Sequence, residues 1–183
     1  MKRINWLLVC FLFLTVCTFA TQAAAATPGS VLNGYISSVE GEFVPAAEAM
    51  PEDKYSFAPT NGEFKGARTY GQQIKHVAAV NYMIAAAILG EKPPVELGGE
   101  SGPDNIKTKA DIVKFLKDSF AYVHKAVPTI NESNSVEAIA SPFSDKKTTR
   151  LELAAVIAGH CFDHYGQMVV YLRMNGIIPP ASR

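Results

Sequence analysis

Apolar residues recur every three to four positions in four separate segments of this chain, and proline- and glycine-rich links divide the segments. That period belongs to helices with one buried face. Val31 to Met50 carries Val31, Tyr35, Val39, Phe43 and Ala46 or Ala47, with Ser30 as N-cap and Pro51 as terminator. A second segment runs from about Thr69 to Leu89 and stops at Gly90. The third opens on Thr108-Lys109-Ala110-Asp111, a variant capping box, carries Ile112, Phe115, Leu116, Ser119, Tyr122 and Val123, and ends at Pro128. The fourth opens on the capping box Thr149-Arg150-Leu151-Glu152 and continues to about Asn175, with Gly176 as the stop and Pro179-Pro180 beyond. Pro51–Lys65, Glu91–Lys107 and Thr129–Lys147 read as irregular links, and no alternating run is long enough for a strand. Four amphipathic helices predict an all-α fold, a four-helix bundle.

The first residues stand apart. Lys2 and Arg3 precede an apolar run from Trp6 to Ala20, and Ala23 to Ala26 follow. This is the pattern of a secretory signal peptide cut before about Thr27. The run is shorter than the ~20 residues of a membrane-spanning helix. Val16 is too large for the position before a lipoprotein cysteine at Cys17. The expected organisation is therefore a signal peptide over residues 1–26 and one domain over 27–183. The domain is expected to be exported, periplasmic or extracellular, with no membrane attachment after cleavage. Cleavage removes Cys10 and Cys17 and leaves Cys161 alone, so no intramolecular disulfide can form. The whole chain balances 17 basic against 17 acidic residues, which argues against a nucleic-acid partner.

The chemistry lies in the histidines. His160 and His164 are four residues apart and share a helix face with Ile157, Met168 and Leu172. His76 shares its face with Val80, Met83 and Ala87. Inward imidazoles are costly unless partnered, and a common metal ion partners all three. Three nitrogens on one side of a divalent ion leave positions for water or substrate, the layout of a catalytic site. Imidazole ligands suit Zn or Ni first, with Fe, Cu or Mn as alternatives. Gln72 and Gln73 precede His76 by four and three residues, and Gln167 follows His160 by seven. Any of them can orient an imidazole or a bound water. Asp163 is expected in solvent, His124 at the surface near a helix C-terminus, and Cys161 as a small packing residue. No Glu lies on either histidine face, so no general base is evident.

Three stretches carry a resemblance. The last helix, from Thr149-Arg150-Leu151 through His160-Cys161-Phe162-Asp163-His164-Tyr165-Gly166-Gln167 to Tyr171-Leu172-Arg173-Met174-Asn175-Gly176 and Pro179-Pro180, resembles that of the DinB-like family. Met50-Pro51-Glu52-Asp53-Lys54-Tyr55-Ser56-Phe57-Ala58-Pro59-Thr60 resembles that family's loop after the first helix. Thr69-Tyr70-Gly71-Gln72-Gln73-Ile74-Lys75-His76-Val77 resembles its second-helix motif. The resemblance implies up-down-down-up topology with a long crossover between helices two and three. It also implies a metal triad at His76, His160 and His164, and a homodimer. Family members of understood activity resemble thiol-dependent transferases or isomerases. The expected function is metal-dependent hydrolysis or group transfer on an unidentified small molecule. The alternative is a non-catalytic metal-binding or interaction module whose ion fixes the bundle.

Overall fold

The computed structural model describes residues 25–183. The signal-peptide reading therefore falls almost wholly outside the described residues. Four helices dominate: α1 (Pro28–Ala49), α2 (Tyr70–Leu89), α3 (Lys109–Ala126) and α4 (Arg150–Met174). Local chemistry explains most of their ends. Thr69 and Gln72 form a reciprocal capping box at the start of α2, and Gly90 closes it in the left-handed region at φ 71°. Thr108 caps α3 by accepting from the Asp111 N–H. Each such cap contributes roughly 1 kcal/mol.

Three details correct the sequence reading. The N-cap of α1 is Thr27, and Ser30 is its partner at the third helical position, so the helix starts at Pro28. Thr149 caps α4, but the Glu152 carboxylate accepts from the Thr148 hydroxyl and leaves the box half made. The link before α4 holds a two-stranded antiparallel ribbon, β1 (Ala138–Ala140) with β2 (Lys147–Thr149). Strands of three residues are too short to show a period of two in sequence.

The directions of the helices follow from contacts at their ends. The start of α1 meets the end of α3, where the Gly29 N–H donates to the Ile130 carbonyl. Lys109, at the start of α3, donates to the Glu48 and Met50 carbonyls at the end of α1. The start of α2 lies there too, with the Tyr70 hydroxyl on the Ala46 carbonyl. Arg150, at the start of α4, reaches the Ile88 carbonyl at the end of α2, and Tyr171, near the end of α4, returns to the Arg68 carbonyl. The topology is thus up-down-down-up. Among the described residues no helix is long and apolar enough to cross a membrane.

Helix α2 lies between α3 and α4 and is buried on most of its circumference. Its small residues Ala78, Ala79, Ala85 and Ala86 allow close approach of both neighbours. The parallel pairing of α2 and α3 requires the chain to travel back along the bundle. This crossover runs beside α2, where Lys75 holds it by donating to the Pro103 and Ile106 carbonyls at 2.7 and 3.3 Å. Gly102 is required at the closest approach: its φ is 78°, and a Cβ there would meet the Lys75 Cβ at 2.8 Å. Anchored in this way, the crossover passes over His76.

Candidate metal centre

Histidines 76, 160 and 164 meet between α2 and α4. Their candidate ligand atoms all lie within 4.8 Å of one another. Ring centroids are 4.5 to 4.9 Å apart, and the rings stand at 70° to 75° to each other. The Nε2 atoms of His76 and His160 are 3.0 Å apart. Two nitrogens bound tetrahedrally at ~2.0–2.1 Å from one ion would be about 3.3 Å apart. The separation therefore suits a shared divalent ion with little movement.

Hydrogen bonds outside the cluster determine which nitrogens face inward. His76 Nδ1 donates to the Glu100 carbonyl at 2.6 Å, since a carbonyl can only accept. Its Nε2 therefore keeps the lone pair. His164 Nδ1 donates to Gln73 Oε1, and again Nε2 is left bare. The direction of this second bond follows from the far end of a chain. The Asp163 carboxylate can only accept, so Gln167 Nε2 donates to it at 3.1 Å. Gln167 Oε1 then accepts from Gln73 Nε2 at 2.9 Å, which turns Gln73 Oε1 toward His164. Carboxylate and carbonyl partners of this kind orient metal-ligating imidazoles.

His160 completes the donor set differently. Its Nδ1 is buried and has no hydrogen-bond partner among the described residues. An ion on Nε2, the nitrogen that faces His76, would leave Nδ1 carrying the proton, so no outside hydrogen bond fixes this ring as the other two are fixed. The donor set is also electrically suited to a cation. Burial, with His164 and His76 adding to it, pulls the His160 pKa down to about 3. Burial pulls His164 to about 4, with further lowering by His76 and Arg68. Burial lowers His76 as well, against the raising effect of its bond to Glu100. All three are neutral at pH 7 and present lone pairs.

The structure brings together the three histidines selected by helical spacing. It places Gln73 against His164 and Gln167 against Gln73. Gln72 sits elsewhere: its Oε1 accepts from the Thr69 N–H at 2.8 Å, so it serves the cap of α2. Asp163 is exposed, as expected, yet it anchors the glutamine chain. His124 is a tie between helices rather than a free surface residue. Its Nδ1 meets Asn33 Oδ1 at 2.7 Å and its Nε2 meets Glu40 Oε2 at 2.8 Å, both on α1. Cys161 is buried and donates to Asn81 Oδ1, and burial pushes its thiol up to about 12. It is a packing residue. The Glu100 carbonyl and Arg68 were not legible as site groups. Arg68 immediately precedes the cap of α2, and its charge lowers all three imidazoles.

Comparison with known proteins agrees with this architecture. The family model of the DinB superfamily matches residues 35–168. The crystal structure of a DinB-like protein from Bacillus cereus ATCC 10987 superposes with a TM-score of 0.61 at 15% identity. The alignment covers 80% of this chain and 94% of that one. No curated protein matches the sequence. The chain belongs to the DinB superfamily.

Proposed function

We propose that this DinB-superfamily chain is an exported metalloenzyme in which His76, His160 and His164 hold one divalent transition ion for hydrolysis or group transfer on a small molecule. The observation that carries the reading is the orientation of the triad. Two of its imidazoles have Nδ1–H committed to outside oxygens, which leaves Nε2 lone pairs within one cluster. The all-nitrogen donor set favours Zn or Ni over Mg or Ca. When bound, such an ion acts as a Lewis acid and acidifies water or a thiol. The protein's own part is to keep the imidazoles neutral, to fix two of their ring directions, and to cover His76 with the crossover. Three protein ligands leave a tetrahedral ion one position for substrate.

One observation favours a second reading. Among the described residues no carboxylate hydrogen-bonds to any of the three imidazoles. Imidazoles held by amide and carbonyl oxygens alone fit a non-catalytic module in which the ion ties α2 to α4. Elemental analysis of purified protein tests the shared premise. One equivalent of a transition metal is expected in the parent, and none in His160→Ala or His164→Ala at unchanged helix content. Full occupancy in His164→Ala would overturn the site. Solvent exchange at the bound ion then separates the readings, since a closed fourth protein ligand would support the module and exclude the enzyme.

A further inference from the structure

A cavity of about 360 Å³ between the start of α2 and the crossover is lined by Gly66, Arg68, Gln72, Lys75, Ser101 and Asp104. None of the three histidines lines it, but the Arg68 charge reaches all three. Three of these residues are the immediate chain neighbours of groups that build the centre. Gln72 precedes Gln73, which holds His164. Lys75 precedes His76. Ser101 follows Glu100, whose carbonyl holds His76. Anything seated in the cavity thus lies against α2 and the crossover, which carry His76 and its partner Glu100.

The charges in this cavity are unequally committed. The Lys75 ammonium is engaged by the Pro103 and Ile106 carbonyls and secures the crossover. Arg68 is half-buried, and among the described residues its guanidinium enters no ion pair and no side-chain hydrogen bond. Asp104 lines the same space and is likewise in none of the ion pairs. Two opposite charges share one small cavity without closing on each other. A half-buried guanidinium with five donors and no acceptor is a planar receptor for an oxyanion.

We propose that Arg68 is the substrate-recognition residue of this site and binds a carboxylate, holding the rest of the molecule toward His76, His160 and His164. A carboxylate matches the guanidinium in geometry, through two parallel N–H···O bonds. It also matches the cavity in charge. Arg68 and Lys75 against Asp104 leave one net positive charge, enough for a monoanion. Asp104 repels the second charge of a phosphate dianion, and Lys75 has only one donor left to answer it. The inference rests on the triad being the reaction centre, and it specifies the class of molecule presented there.

Benzoate and inorganic phosphate are the probes, titrated into the zinc-loaded chain and followed by ligand-observed NMR and calorimetry. Benzoate should bind saturably and more tightly than phosphate. Arg68→Ala should weaken benzoate at least tenfold, and Arg68→Lys should restore part of the loss, which a merely structural role would not produce. The Arg68-dependent binding should persist in His160→Ala. Absence of saturable benzoate binding, or equal binding by Arg68→Ala and the parent, would overturn the proposal. Tighter binding of phosphate would overturn the carboxylate assignment. Loss of benzoate in His160→Ala but not in Arg68→Ala would put the carboxylate on the ion, sinking this inference while leaving the metal site intact. A parent that holds no metal yet binds benzoate through Arg68 would do the reverse.

Discussion

Replacing Gln73 with Leu probes the link between the bundle and its candidate centre. Gln73 is 2% exposed and His164 is 6% exposed, so water cannot readily stand in for the lost amide. Leucine has a similar volume and keeps the packing between α2 and α4. What it removes is the acceptor for His164 Nδ1–H. A buried donor left without a partner costs about 1–3 kcal/mol, and the metal-free protein should lose that much stability in urea. Zinc affinity should also fall, because the imidazole is free to rotate or to change tautomer. Loss of such an orienting partner typically lowers metal affinity ~10–100-fold, equivalent to roughly 1.4–2.7 kcal/mol. Competition with a chelator measures the affinity. Gln167→Ala should have a smaller effect, since Gln167 is half-exposed and solvent can replace its amide. A Gln73→Leu protein with parental stability and zinc affinity within twofold of the parent would refute the argument that this chain orients His164.

Protonation, packing, an interhelical tie and processing each have a measurable consequence. His160 and His164 take up protons near pH 6.5 when unfolded, but only near 3 and 4 when folded. The metal-free protein should therefore be most stable above pH 6.5 and lose stability as pH falls toward 5. The loss is at most ~1.4 kcal/mol per pH unit for each histidine, and urea titrations of the parent and His160→Gln should show a shallower slope in the variant. Gly29→Ala would place a Cβ 2.4 Å from the Val127 carbonyl oxygen and 2.5 Å from that of Ile130. It should destabilise the protein by about 1–3 kcal/mol through displacement of α1 from the end of α3, measurable as a lower thermal midpoint. His124→Ala should lower the midpoint by removing the contacts to Asn33 and Glu40 while leaving zinc stoichiometry unchanged. N-terminal sequencing of the secreted fraction should find a start near Thr27, and an intact Met1 on membrane-bound protein would contradict the proposal of export.

The helices were legible because their ends carry local chemistry. Thr69, Gly90, Thr108 and Gly176 each act within a few residues of chain, and the structure uses them where the sequence put them. Ser30 reads as the cap of α1 because a serine ahead of an apolar run can cap, and only its reciprocal bonding with Thr27 shows that the helix starts at Pro28. The β1–β2 ribbon escaped detection because its pairing depends on the placement of a loop rather than on a repeating pattern. Within the centre, the histidine faces followed from a helical period. The choice between Gln72 and Gln73 did not. Both lie within ~60° of His76 around α2, and the position of α4 selects Gln73. Glu100 contributes a backbone carbonyl from the crossover, which no side-chain pattern could reveal. His124 found its partners 84 and 91 residues away on α1, a distance at which spacing carries no information.

X-ray absorption spectroscopy of the zinc-loaded protein tests the central claim most directly. Three imidazole nitrogens at ~2.0 Å, one further light-atom ligand and no sulfur at ~2.3 Å are expected, because Cys161 is buried and bonded to Asn81 away from the triad. The imidazole signal should collapse in His160→Ala. Zinc–sulfur scattering, or a first shell with fewer than three imidazoles that is unchanged in His160→Ala, would contradict a centre built from His76, His160 and His164.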